Sequence, residues 1–119
     1  QLRVAGEGLP ALICDAIGAE RAEAAEAAVL QELSPQMARL RLSCTLPYSP
    51  GYCGMALTEQ RKLFGLFGDQ SAGVSLSETC LMRPLKSISG LIGVASESLV
   101  VAHGSPCDRC ELHQCAMRR

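Results

Sequence analysis

Three sulfurs fall within nine residues near the end of this chain, where CDRCELHQC places Cys107, Cys110 and Cys115 at the spacing C-x2-C-x4-C. A C-x2-C loop suits tetrahedral thiolate ligation of zinc, and cysteine thiolates serve an iron–sulfur cluster equally well. Structural zinc takes four ligands, so a fourth comes from elsewhere. The candidates are His103, His113, Cys53, Cys80 or a residue upstream of the chain. Arg109, Arg118 and Arg119 lie nearby in sequence and favour thiolate over thiol. The plain alternative is a partly oxidised tail with no ligand role.

A second concentration of chemistry is YSPGYCG, residues 48–54. It holds both tyrosines of the chain, Tyr48 and Tyr52, with Pro50, Gly51 and Gly54. Proline stiffens the backbone, glycine lets another group come close, and tyrosine offers a flat face with a hydroxyl handle. On residues alone this is either a packed turn or a binding loop. A third stretch, 78–90, gathers Glu78, Arg83, Lys86, Ser87 and Ser89 around two strand ends, and its plain reading is a solvated hairpin rim. Nothing resembles a nucleophile elbow or a phosphate loop, and His103 and His113 have no acid partner in evidence.

The elements that would position these groups follow from periodicity. Residues 9–33 are rich in Ala, Glu and Leu, and Leu12, Ile13, Ile17, Ala24, Ala27, Ala28 and Leu30 recur near helical spacing. Gly18 either divides this helix or weakens it, and Ser34-Pro35 is expected to end it. Residues 39–44 alternate as a strand. Thr58 is expected to cap a second helix with Leu63, Phe64 and Phe67 on its apolar side, stopping at Gly68. Residues 74–82 read as one strand, 83–86 as a turn, 87–94 as another strand, and 99–101 as a short third. Gly90 and Gly93 inside a strand mark close approach of a ligand or a neighbour. The expected fold is α+β, a small antiparallel sheet with two helices packed on one face. Residues 1–103 form that unit and 104–119 a cysteine-rich tail.

Composition narrows the classes. The 119 residues carry a formal net charge of −1, 3% aromatics and no tryptophan, which argues against nucleic-acid binding by a basic face or by base stacking. No apolar run reaches the ~18 residues of a membrane span, and no basic-then-apolar opening marks a secretory leader. The chain opens on Gln1 rather than methionine, from which a missing upstream portion is expected. Seven cysteines in a chain this aliphatic point to a reducing cytoplasm rather than a disulfide scaffold.

In sequence order, YSPGYCGMALTEQRKLFGLFG and VSLSETCLMRPLKSISGLIGV resemble the activation (reactivation) domain of cobalamin-dependent methionine synthase, in the short stand-alone form ending in a cysteine-rich tail. The resemblance rests on Pro50-Gly51-Tyr52, a helix carrying Gln60 and Leu63, Leu76-Ser77-Glu78-Thr79 through Met82 and Pro84, and Ser87-Ile88-Ser89-Gly90. It covers about residues 40–95. The resemblance implies S-adenosylmethionine (AdoMet) held at Tyr48, Pro50, Gly51, Tyr52, Glu78, Ser87, Ser89 and Gly90. It further implies a cobalamin carried by a partner, either a corrinoid protein or a cobalamin-dependent methyltransferase, with a separate electron donor. The function so implied is reductive reactivation: an inert cob(II)alamin is reduced by one electron and trapped by methyl transfer from AdoMet. Two departures stand out. Pro47 occupies the place of an arginine that contacts the AdoMet carboxylate in the full-length enzymes, and Leu91-Ile92-Gly93 replace aromatics that face the corrinoid. The competing expectation is a metal- or iron–sulfur-bearing interaction or electron-transfer protein that keeps the fold without AdoMet.

Overall fold

A computed structural model describes residues 8–52, 54–68 and 71–115. The fold is α+β, with three α-helices and two small antiparallel sheets among the described residues. Helix α1 spans Gly8–Arg39, 32 residues. It does not stop at Ser34-Pro35. The ring removes one N–H from the ladder, but Ser34 Oγ donates to the Leu30 carbonyl at 2.7 Å and the helix runs one more turn. It closes with Leu42 N–H donating to the Met37 carbonyl at 3.0 Å, Arg41 standing at φ 57° in the left-handed position that glycine usually fills. The Arg-Leu-Arg-Leu alternation expected to be strand is therefore mostly helix end and cap.

Of the apolar positions expected to form the core face of α1, Leu30 is half-buried and the others do not face the fold. Leu12, Ile13 and Ile17 are exposed, as are Ala24, Ala27 and Ala28. The half-buried positions are Ala11, Gly18, Ala22, Glu23, Glu26, Leu30, Leu33, Ser34 and Met37, a stripe at helical spacing displaced from the expected one. Its first half is nearly all small because chain crosses it closely. A Cβ on Gly18 would come within 2.9 Å of Lys86 Cγ, and Lys86 Nζ pairs with Asp15 at 3.0 Å. Gly18 thus neither breaks nor merely weakens the helix; it makes room for the lysine stem.

Strand β1, Ser43–Cys44, pairs antiparallel with β4, Val94–Ala95, in the register Ser43↔Ala95 and Cys44↔Val94. The pairing continues through Thr45 N–H to the Gly93 carbonyl and a reciprocal Tyr48–Leu91 bridge at 2.9 Å. From 45/93 to 48/91 one side advances three residues and the other two, which is a bulge, and Pro47 sits in it where no N–H is needed. The strands expected at 39–44 and 87–94 are realised only in this shortened antiparallel form. Gly90 and Gly93 do mark a close approach, but the neighbour is the chain itself: added Cβ atoms would lie 3.0 Å from Ser49 Oγ and from Thr45 Cγ2.

Helix α2, Gln60–Phe67, follows a 3-10 turn over Leu57–Glu59. Thr58 lies inside that turn and not at a cap; Ala56 holds the cap position with no side-chain bond. Leu63 is buried as expected, Phe64 and Phe67 meet edge to face at 5.6 Å, and Gly68 ends the helix at φ 54°. The expected strand 74–82 folds back on itself. β2, Ser75–Leu76, pairs with β3, Met82–Arg83, and Glu78-Thr79-Cys80 form the hairpin loop with Cys80 at φ 63°. Ser77 drives the reversal. Its carbonyl accepts from Cys80 N–H at 3.0 Å, its N–H donates to the Leu81 carbonyl at 2.9 Å, and its hydroxyl accepts from Leu81 N–H at 3.0 Å. Residues 99–101 are not a strand. They belong to helix α3, Glu97–His103, where Ser96 at the cap position, Glu97 in the first turn and Gly104 at φ 69° outweigh the β-branched run.

Candidate functional site

Among the described residues only Pro50, Gln60, Leu63 and Cys80 are buried. Three of those four, Pro50, Gln60 and Cys80, line one open cavity of about 680 Å³ against α1. The best-shielded part of the molecule is therefore a wall rather than a filled core. That volume falls in the range of small-molecule sites.

The cavity draws together segments far apart in sequence. The 48–52 loop supplies Tyr48, Pro50, Gly51 and Tyr52, and the segment after β3 supplies Ser87 and Ser89. The loop is held by a bond from Gly51 N–H to the Met55 carbonyl at 2.9 Å, and Gly51 stands at φ 95°. Ser87 Oγ donates to the Pro84 carbonyl at 2.8 Å, tying the turn that precedes it. Gly90 is not in the lining but sits directly behind it: a Cβ there would come within 3.3 Å of the Tyr48 carbonyl and 3.4 Å of Glu26 Oε1. Glu78 is placed differently. It lies exposed in the β2–β3 hairpin loop and outside the cavity lining, and its carbonyl accepts from Arg61 Nη2.

Cys107, Cys110 and Cys115 line the same cavity. A 3-10 turn over Pro106–Arg109 positions the first two, since residues three apart eclipse in that geometry. Its start is a capping box in which Cys107 N–H donates to Ser105 Oγ at 3.1 Å and Ser105 N–H to Asp108 Oδ2 at 2.6 Å. Cys110 N–H then donates to the Cys107 carbonyl at 3.2 Å. Among the described residues no three His, Cys, Asp or Glu side chains stand together as a ready metal cage. Cys53, Arg118 and Arg119 lie outside the described residues, as does the Arg109 side chain.

Sequence reading passed over Glu23 and Glu26, which α1 presents to the cavity one turn apart beside Ala19 and Ala22. The signal was the small-residue stripe: acids spaced with Gly18 and Ala22 share the face that the chain crosses. Lys86 also lines the cavity, its ammonium paired with Asp15 of α1 at 3.0 Å. The cavity thus offers carboxylates, an ammonium, two aromatic rings and four thiols. Among the described residues no helix is long and apolar enough to cross a membrane. Comparison of the chain with protein-family models, curated proteins and solved structures finds no match.

Proposed function

We propose that the cavity binds AdoMet and that the protein serves the reductive reactivation of a corrinoid methyltransferase or corrinoid protein. One observation carries the reading: the 48–52 loop and the Ser87–Ser89 segment, paired by motif resemblance alone, line a single cavity of about 680 Å³. The residues present suit the ligand. AdoMet carries a sulfonium and an ammonium, which Glu23 and Glu26 complement, and a carboxylate, for which Lys86 is the cation in the wall. Gly51 leaves the loop backbone open to close approach, and Tyr52, 65% exposed, presents a ring at the mouth. The chemistry balances with an external low-potential donor: one electron takes Co(II) to Co(I), which accepts the methyl group and releases S-adenosylhomocysteine. This chain's part is to hold AdoMet and shield it. Pro47 in the bulge cannot supply the charge-assisted bond an arginine makes, which weakens binding by about 1.5–3 kcal/mol. On this reading the fold is activation-domain-like, and the protein works in the cytoplasm on a partner that brings the corrinoid.

The test is calorimetric titration of anaerobically purified protein with AdoMet, alongside Gly51→Val. Saturable binding by the parent and its loss in the variant are expected. A parent that takes up no AdoMet at millimolar concentration overturns the proposal.

A further inference from the structure

We infer that the outward face of α1 is the interface of a homodimer, in which two copies of the helix pack antiparallel about a two-fold axis between Glu20 and Arg21. The inference rests on α1 alone and is independent of the AdoMet reading. The helix has 32 residues, is about 48 Å long, and buries none of its side chains. Its half-buried positions lie on the side that the chain crosses, where Gly18 meets the Lys86 stem and Glu26 approaches Gly90. On the opposite side Leu9, Ile13, Ile17, Ala24 and Ala28 recur at steps of four and seven residues, and all are exposed. Large apolar side chains aligned on one surface mark an interaction site, whereas scattered ones do not.

Two features of that face select a second, reversed copy as its occupant. The first is size. Leu9, Ile13 and Ile17 fill the N-terminal half, and Ala24 and Ala28 the C-terminal half. A parallel copy sets large against large at one end and small against small at the other. A reversed copy sets Ile13 opposite Ala28 and Ile17 opposite Ala24, so that each bulky side chain meets a small one. The second feature is charge. The register that makes both of those pairs also sets Glu20 of one copy opposite Arg21 of the other. Both residues are exposed, and among the described residues neither makes an ion pair or hydrogen bond. They cannot serve each other, because adjacent residues diverge by about 100° around a helix. A two-fold axis between them uses the pair twice, once on each side, and opposite charges so placed fix the orientation of paired helices.

The experiment is sedimentation equilibrium of the full chain from about 100 µM down to about 1 µM, a range that brackets a micromolar complex. The variants are Ile17→Lys, Glu20→Arg, Arg21→Glu, the double exchange Glu20→Arg with Arg21→Glu, and Leu66→Lys as control. Leu66 is 79% exposed on α2, away from the face. Circular dichroism checks that each variant folds. A dimer is expected in the parent and in the control, and a monomer in Ile17→Lys. Each single charge reversal is expected to raise Kd at least tenfold, and the double exchange to return it to the parent value. In a parallel pair each of these residues faces its own copy, so single reversals leave Kd unchanged; that result overturns the proposal. So does a dimer that survives Ile17→Lys, or a double exchange that fails to restore association. A parent that stays monomeric at about 100 µM also overturns it. Hydrogen exchange of such a monomer then separates a face covered by the chain's own residues, with residues 9–28 protected, from one left open.

Discussion

Gly51→Ala isolates one physical cause at the heart of the proposed site. Gly51 stands at φ 95°, and a Cβ built on it would meet only Leu57 Cδ1 at 3.5 Å, an ordinary contact. Sterics with neighbours therefore contribute little. The cost lies in the backbone, where an L-residue in left-handed conformation is disfavoured by about 1–2 kcal/mol. For a chain of this size that lowers Tm by about 4–8 °C. If the loop instead relaxes to negative φ, the bond from Gly51 N–H to the Met55 carbonyl is lost and the loop leaves the cavity wall. In that second case AdoMet binding weakens, by about tenfold for each 1.4 kcal/mol needed to restore the bound loop. Gly65→Ala is the internal control. It lies mid-helix in α2 with nothing within 4 Å of an added Cβ, so it gains about 0.5–1 kcal/mol from propensity and leaves AdoMet binding unchanged. Thermal denaturation and calorimetry on the same preparations read both quantities. A Gly51→Ala protein that melts with the parent and binds AdoMet equally well refutes the reasoning.

Three further outcomes are expected. Arg41→Gly relieves the left-handed residue that closes α1 and raises stability by about 1 kcal/mol, read as a higher denaturation midpoint at unchanged m-value. Pro35→Ala restores a donor inside α1 and removes the ring clash; because the site is exposed and near the helix end, the gain is about 1–2 kcal/mol rather than the full interior value, measured in the same way. Glu26→Gln keeps the shape of the cavity wall but removes one negative charge, and weakens AdoMet binding about tenfold with Tm within a few degrees of the parent, as one charge-assisted contact requires.

What could be read in advance divides along a physical line. Where one residue decides its own conformation, reading succeeds: Gly68 stops α2 and Leu63 faces inward. Where two tendencies compete, the outcome depends on partners far away. Ser77 both extends an alternating pattern and caps a tight reversal, and its three hydrogen bonds to Cys80 and Leu81 give the reversal the advantage, so one strand became a hairpin. Leu12, Ile13 and Ile17 have the stronger apolar signal, yet Gly18 and Ala22 face the fold because only a small residue admits the 84–90 segment and the Lys86 stem against α1. Periodicity locates apolar residues; it does not weigh the steric demand of a crossing backbone. That Cys107, Cys110 and Cys115 line one cavity with Cys80 is tertiary and has no local signature.

The distribution of burial gives the cavity a part in stability as well as in function. A domain ordinarily places its largest apolar side chains in the interior, whereas here Leu9, Leu12, Ile17 and Leu66 are each more than half exposed, and the described residues hide only Pro50, Gln60, Leu63 and Cys80. The segments around the cavity are irregular and rest on a few hydrogen bonds each, such as Gly51 to Met55, Met55 to Tyr52 and Ser87 to Pro84. Each such bond nets about 1 kcal/mol, close to the cost of ordering one residue of backbone. Segments balanced in this way gain much of their order from what they bind. A ligand present at a hundred times its dissociation constant adds about 2.7 kcal/mol to the folded state, comparable to two or three of these bonds together.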